Sequence, residues 1–278
     1  MREVRPNDPL GFLGASLTPL KAELTAITRL ESCPISPEAF QPLFLSPLDK
    51  YGKRVGNLGR RPLSEGMNSF SGTGLQCIRS ARMVFDGLSF SARAGDVLYL
   101  KGPNGSGKSS LLRVMAGLLR PAAGEMLWNG TNTRADLEEF RASLNYVGHR
   151  DAVKGAFTVR ENLSFWAAMA DGDLDEGMLS TALEAFDLSR LADLPARFLS
   201  TGQTRRLNLA RLLTSSAPLW ILDEPATSLD AANAAALRNA VESHVETGGI
   251  VVMATHEEVS AGGQILELSE YGVKGGSA

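Results

Sequence analysis

The chain has 278 residues, 44% of them hydrophobic and 21% charged, which is room for one large or two small domains around a sizeable core. Its 28 basic and 31 acidic residues leave a formal charge of −3, too even a balance for a chain-wide nucleic-acid surface. The two cysteines, Cys33 and Cys77, form neither a metal-ligand spacing nor a disulfide framework, which points to free thiols in a reducing compartment.

No run approaches the ~20 apolar residues that cross a bilayer, and the start lacks the three-part pattern of a signal peptide. Any service to a membrane is therefore expected to pass through a partner. Residues 1–71 read as a poorly ordered extension: eight of the 13 prolines (Pro6, Pro9, Pro19, Pro34, Pro37, Pro42, Pro47 and Pro62) precede position 66, and proline at that density breaks helices and removes donors. A weak helix within 20–30 and a natural start at Met67, with the preceding stretch a misassigned gene start, are both admitted by this composition.

From Gly72 onward the texture is that of a folded domain, 72–278. An antiparallel β region is expected over 79–92, then a strand at 96–101, a glycine loop, and a helix from Ser109 to about Leu119. A turn at Pro121 and Gly124 leads to a strand at 125–128. Residues 151–198 read as an inserted helical subdomain, with apolar residues at helical spacing in 162–169 and 176–186. After Leu199 the order is helix, strand (219–222), helix (231–244), strand (250–254). Such alternation argues for a parallel α/β core.

Gly102-Pro103-Asn104-Gly105-Ser106-Gly107-Lys108-Ser109 fits G-x-x-x-x-G-K-[ST], with Ser110 extending the turn. Glycines let the backbone aim N–H groups at phosphate oxygens, and the helix that follows adds its N-terminal partial charge. Lys108 is expected on the β- and γ-phosphates and Ser109 on Mg²⁺. The loop follows a strand and opens a helix, as the chemistry requires. ATP and Mg²⁺ are the expected ligands.

Four more segments follow in order: Leu199-Ser200-Thr201-Gly202-Gln203 with Arg205 and Arg206; an apolar strand into Asp223-Glu224-Pro225; Thr227-Ser228-Leu229-Asp230; and Ala254-Thr255-His256. Across 72–269 the chain resembles the ATP-binding-cassette superfamily. The resemblance implies an α/β, P-loop nucleotide-binding domain with an antiparallel β subdomain and an inserted helical subdomain. It also implies a homodimer that closes head-to-tail around two ATP molecules. Under that resemblance Asp223 holds Mg²⁺ through water, Glu224 is the general base or water-orienting carboxylate, and His256 contacts the γ-phosphate. Ser200 and Gly202 reach the nucleotide of the opposite subunit, and Asp230 lies in the loop that communicates across the interface. Ser200 also suits a helix N-cap, and His244 reads as structural or exposed.

Two positions depart from the superfamily pattern. Gly148-His149-Arg150 stands where a sensor glutamine is usual, and Arg79 stands where an aromatic stacks on adenine; an arginine plane can also stack on a base. The run from Tyr146 to Lys154, with Thr158-Val159-Arg160-Glu161-Asn162-Leu163-Ser164-Phe165-Trp166 and Trp128-Asn129-Gly130, is similar to the cytochrome c biogenesis ATP-binding export proteins, the heme-exporter subunits. This implies a peripheral subunit on the cytoplasmic face of the bacterial inner membrane, a separate integral-membrane permease docked on the 151–194 insert, and heme as cargo. Heme itself is expected to be contacted only by partners: Cys-x-x-Cys-His is absent, and Trp128 and Trp166 read as core. An ABC ATPase for another cargo, and a nucleotide-binding scaffold with little turnover, are the competing readings; a P-loop kinase would lack the 199–203 signature.

Overall fold

Alternation of side chains along three short apolar strands, the centre of a five-stranded sheet, sets the architecture. The computed structural model describes residues 68–170, 176–255 and 262–272. Residues 1–67 of the expected 1–71 extension, with the weak helix at 20–30, Cys33 and the Met67 start, and His256 lie outside the described residues.

The described chain runs β1 (Ser69–Arg79), β2 (Arg82–Arg93), β3 (Val97–Lys101), α1 (Lys108–Met115), β4 (Ala123–Trp128), β5 (Thr131–Asn132), α2 (Leu137–Ala142), β6 (Leu144–Val147), α3 (Val159–Met169) and α4 (Glu176–Ala185). It continues with α5 (Thr201–Ala210), β7 (Leu219–Asp223), α6 (Ala231–Glu246), β8 (Ile250–Ala254) and β9 (Gln264–Glu267). Two sheets result: a four-stranded antiparallel one ordered β2-β1-β4-β5 and a five-stranded one ordered β6-β7-β8-β3-β9, in which every pairing is parallel.

The central parallel strands β3, β7 and β8 are buried on both faces, and successive residues feed two cores. Val97 and Tyr99, Trp220 and Leu222, and Val251 and Met253 pack with Leu163, Leu183, Phe186 and Leu207 of the helical side. Their neighbours Leu98 and Leu100, Leu219 and Ile221, and Ile250 and Val252 pack with Leu111, Leu112 and Phe85 on the other. Each fully buried Leu or Phe stabilises by roughly 1.5–3 kcal/mol, so a strand of five apolar residues serves two cores at once. In the antiparallel sheet, Phe70 meets Phe90 edge-on at 5.0 Å and stacks near Phe140 at 5.9 Å.

Several boundaries differ from expectation. Strand β1 begins at Ser69, three residues ahead of Gly72, because it pairs with both β2 and β4. The 79–92 region is thus only the second strand of a hairpin whose turn, Ser80-Ala81, has positive φ at both positions (49° and 61°). Helix α1 ends at Met115 rather than near Leu119, since Gly117 is left-handed (φ 66°) and the amides of Leu118 and Leu119 both turn back to the Arg113 carbonyl. β9, unread in the sequence, adds an edge strand beside β3.

Among the described residues no helix is long and apolar enough to cross a membrane. Two helix starts are capping boxes: Thr158 with Glu161 at α3 and Ser200 with Gln203 at α5. Each satisfies two otherwise orphaned backbone donors.

Candidate nucleotide-binding and hydrolysis site

In an open parallel sheet, ligands gather beyond the carboxyl ends of the strands. Here that edge carries Gly102 after β3, Gly148 after β6, Glu224 after β7 and Thr255 after β8. Residues far apart in sequence are brought together by strand order alone.

The loop 102–107 wraps the start of α1. Gly102, Gly105 and Gly107 have φ of 143°, 82° and 104°. A Cβ on Gly107 would sit 2.4 Å from Val84 Cγ1, so the β2 strand presses on the turn and only glycine fits. Lys108 Nζ folds back to donate to the carbonyls of Gly102 (2.7 Å) and Pro103 (3.2 Å). A cleft beside the loop is lined by Asn104, Gly105, Lys108, Ser109, Ser110 and Glu224, together with Arg79, Ser80 and Val84. Arg79 therefore borders the phosphate loop's cleft, where a base-stacking group is expected.

Ser109 Oγ donates to Asp223 Oδ1 at 3.2 Å, joining the first turn of α1 to the end of β7. Asp223 is only 2% exposed, and its Oδ2 has no hydrogen-bond partner among the described residues. A buried carboxylate oxygen without a donor is costly, and a hydroxyl beside it completes a hard oxygen pair that suits Mg²⁺. Ser106 Oγ is likewise buried and unpartnered inside the loop. The donor set fits a divalent cation carried in with a triphosphate.

Glu224, next along, is in the left-handed region at φ 49°, a conformation worth about 1–3 kcal/mol of strain for a residue with a side chain. Its amide donates to the Ala254 carbonyl at 2.9 Å. That turn carries the Glu224 side chain to the Lys108 and Ser109 cleft.

The signature residues occupy a second cleft. Ser200, Gly202 and Gln203 line it with Ser228, Asp230 and Asn233. Ser200 Oγ accepts from the Gln203 amide (3.3 Å), and Gln203 Oε1 accepts from the Ser200 amide (2.8 Å). Thr201 opens α5, with Leu199 just before the cap. Asp230 caps α6, accepting from the amide and side-chain nitrogen of Asn233 (2.8 and 2.9 Å). These bonds to Asn233 hold its carboxyl below the usual range.

Thus the loop residues and Glu224 line one cleft, with Asp223 bonded to Ser109 beside it, while Ser200, Gly202, Gln203 and Asp230 line another. Arg205, quoted in the sequence only as following the signature and given no role there, donates to the carbonyls of Asp223, Glu224 and Pro225 from inside α5. His244 is neither exposed nor a ligand: it stacks on Trp220 at 3.9 Å, and burial pushes its pKa down to about 4.

A phosphate loop on a parallel sheet, an acidic strand end, an inserted helical subdomain and a serine-glycine helix tip together define an ATP-binding-cassette ATPase. The ABC transporter family matches residues 85–227. The chain is 48% identical to the cytochrome c biogenesis ATP-binding export protein CcmA of Paramagnetospirillum magneticum, covering 74% of this chain and 96% of the relative. It is 48% identical to the protein of that name from Rhodospirillum rubrum (73% and 86% covered) and 42% identical to that from Nitrosospira multiformis (72% and 98%). Among solved structures, an ATP-binding subunit of an ABC transporter aligns with a TM-score of 0.62 at 27% identity, covering 67% of this chain and 79% of that one. A nucleotide-free ATP-binding cassette aligns at 0.58 and 24% identity, with 68% and 82% covered, a likeness of fold. The chain belongs to the cytochrome c biogenesis ATP-binding export protein family, and it is an ATPase coupled to transport.

Proposed function

We propose that this chain is the ATP-hydrolysing subunit that energises heme export or heme transfer for cytochrome c biogenesis, working through a separate integral-membrane permease. The carrying observation for the chemistry is the Ser109–Asp223 contact with its unpartnered buried oxygen; for the cargo it is 42–48% identity to the named relatives over nearly their whole length.

In this reading the loop amides and Lys108 grip the triphosphate, and Lys108 exchanges its carbonyl partners for β- and γ-phosphate oxygens. The Ser109 hydroxyl and the Asp223 carboxylate would hold Mg²⁺, which would supply charge neutralisation at the phosphate oxygens. Glu224 orients the attacking water and takes its proton. His256 contacts the γ-phosphate. The Ser200 hydroxyl and the Gly202 N–H of a second copy seal that phosphate from the far side at a helix N-terminus, so the working form is a homodimer, with Asp230 in the loop between the two sites. ATP binding closes the pair, cleavage reopens it, and the 151–198 helical subdomain passes the movement to a permease at the cytoplasmic face of the inner membrane.

In this reading the ATPase domain is 72–278 together with Ser69–Ser71 of β1, and the residues before β1 are an extension that takes no part in catalysis. Co-purification from membranes tests the cargo: a multi-span permease accompanied by cytochrome c maturation proteins is expected, and a sugar or peptide permease overturns it. Glu224→Gln tests the chemistry, with ATP affinity kept and turnover lowered by ~10²–10⁴. The scaffold reading, favoured only by Gly148-His149-Arg150 in place of the sensor glutamine, predicts negligible turnover in the parent protein.

A further inference from the structure

The Arg205 guanidinium has every donor engaged. Arg205 lies on α5, whose first turn is capped by Ser200, and is 5% exposed. Its Nη2 donates to the carbonyls of Asp223 (3.1 Å) and Glu224 (2.7 Å), its Nε to that of Pro225 (3.3 Å), and its Nη1 to the Gly148 carbonyl (3.1 Å) and Asp151 Oδ1 (3.0 Å). A guanidinium carries five N–H donors in one rigid plane, and these contacts use them all. Asp151 balances the buried charge and also accepts from Asn208 Nδ2 at 2.8 Å.

The acceptors are not scattered. Three are consecutive carbonyls of the turn that bears Glu224, the residue in a left-handed conformation. Gly148 and Asp151 belong to the segment after β6, where the sensor glutamine is replaced. We propose that Arg205 is a positioning residue for ATP cleavage: it fastens the 223–225 turn and the 148–151 segment to the signature helix, so that the Glu224 carboxylate is aimed by the helix whose tip meets the neighbouring subunit's nucleotide. This rests on Glu224 being the base. Lysine cannot substitute, because its three donors radiate from one atom and cannot span carbonyls of four residues.

The test is a double-mutant cycle of Arg205→Lys with Glu224→Gln, read by phosphate release with nucleotide affinity measured separately. Arg205→Lys is expected to lower kcat about 10- to 100-fold, the usual cost of a small misplacement, with KM and ATP affinity within about twofold. In the Glu224→Gln background it is expected to cost nothing further, since there is no longer a base to aim. Multiplied losses, or an unchanged kcat in Arg205→Lys, overturn the proposal. If Glu224→Gln alone keeps full turnover, the functional reading fails first and the proposal goes with it. If Glu224→Gln is damaging and the losses multiply, only the role of Arg205 falls. Should Arg205→Lys not fold, Asp151→Asn, which leaves all four carbonyl contacts, takes its place. The same silence behind Glu224→Gln is then expected, and multiplied losses overturn.

Discussion

The Ser109 hydroxyl donates to Asp223 Oδ1 at 3.2 Å, so a phosphate-loop helix and a strand end share one oxygen cluster while 113 residues of chain run between them. The Asp223 carboxylate is buried, with its second oxygen unpartnered among the described residues. Ser109→Ala and Asp223→Asn are each expected to remove Mg²⁺-stimulated turnover while leaving nucleotide binding in EDTA largely intact. Because both act on one cation, the double variant is expected to be no worse than the poorer single one. Independent, multiplying losses would separate the two residues.

Lys108 is 8% exposed and satisfied by the Gly102 and Pro103 carbonyls. Lys108→Ala leaves those carbonyls to water and is expected to keep the fold, seen as an unchanged far-ultraviolet spectrum. Binding of a fluorescent ATP analogue and turnover are expected to vanish together. Unaltered binding would strip Lys108 of its phosphate role.

Gly107→Ala meets two penalties. The backbone is left-handed, at about 1–2 kcal/mol for a non-glycine residue, and the new methyl falls 2.4 Å from Val84 Cγ1. ATP affinity is expected to fall at least tenfold. Pairing it with Val84→Ala removes the contact but not the torsional cost, so recovery is expected to be partial. Full recovery in titration calorimetry would mean the clash was the whole effect.

His244 stacks on Trp220 with an interplanar angle of 9°, and burial lowers its pKa from 6.5 to about 4. The unfolded chain takes up this proton near pH 6.5 while the folded one resists. Stability is therefore fully retained above pH 6.5 and drains away as pH falls toward 4, by up to about 3 kcal/mol. Urea midpoints for the parent are expected to drop between pH 7 and 5, and His244→Phe is expected to flatten that particular slope. Parallel curves for the two proteins would rule out the histidine.

The Ser200–Gln203 cap and the Asp230 cap border one cleft. If a second subunit's γ-phosphate docks there, Glu224→Gln protein is expected to pair on adding ATP and Mg²⁺, seen by light scattering. Ser200→Arg in that background is expected to stay monomeric. Pairing that ignores the Ser200 change would place the interface elsewhere.

Much of the site was legible because its chemistry is local. Gly102–Ser109 must bend at fixed positions and open a helix, so spacing alone identifies a phosphate cradle. Strands β7 and β8 were readable as unbroken apolar runs, since they are covered on both faces. β1 was not: Gly72 and Gly74 blur its pattern, and it is a strand because β2 and β4 flank it. β9, with two of its four residues exposed at the sheet edge, lacks the apolar run that identified its neighbours.

Residue order determined by itself which groups could hold a triphosphate, since glycine torsions, a lysine and a helix start are properties of a short segment. Only the folded sheet decided what those groups face. The β6-β7-β8-β3-β9 order brings Ser109 to Asp223, and packing of α5 beneath the β7 turn turns Arg205 from a charge on a helix into a five-point clamp. Such contacts depend on which strand ends lie side by side, and no spacing along the chain encodes that neighbourhood.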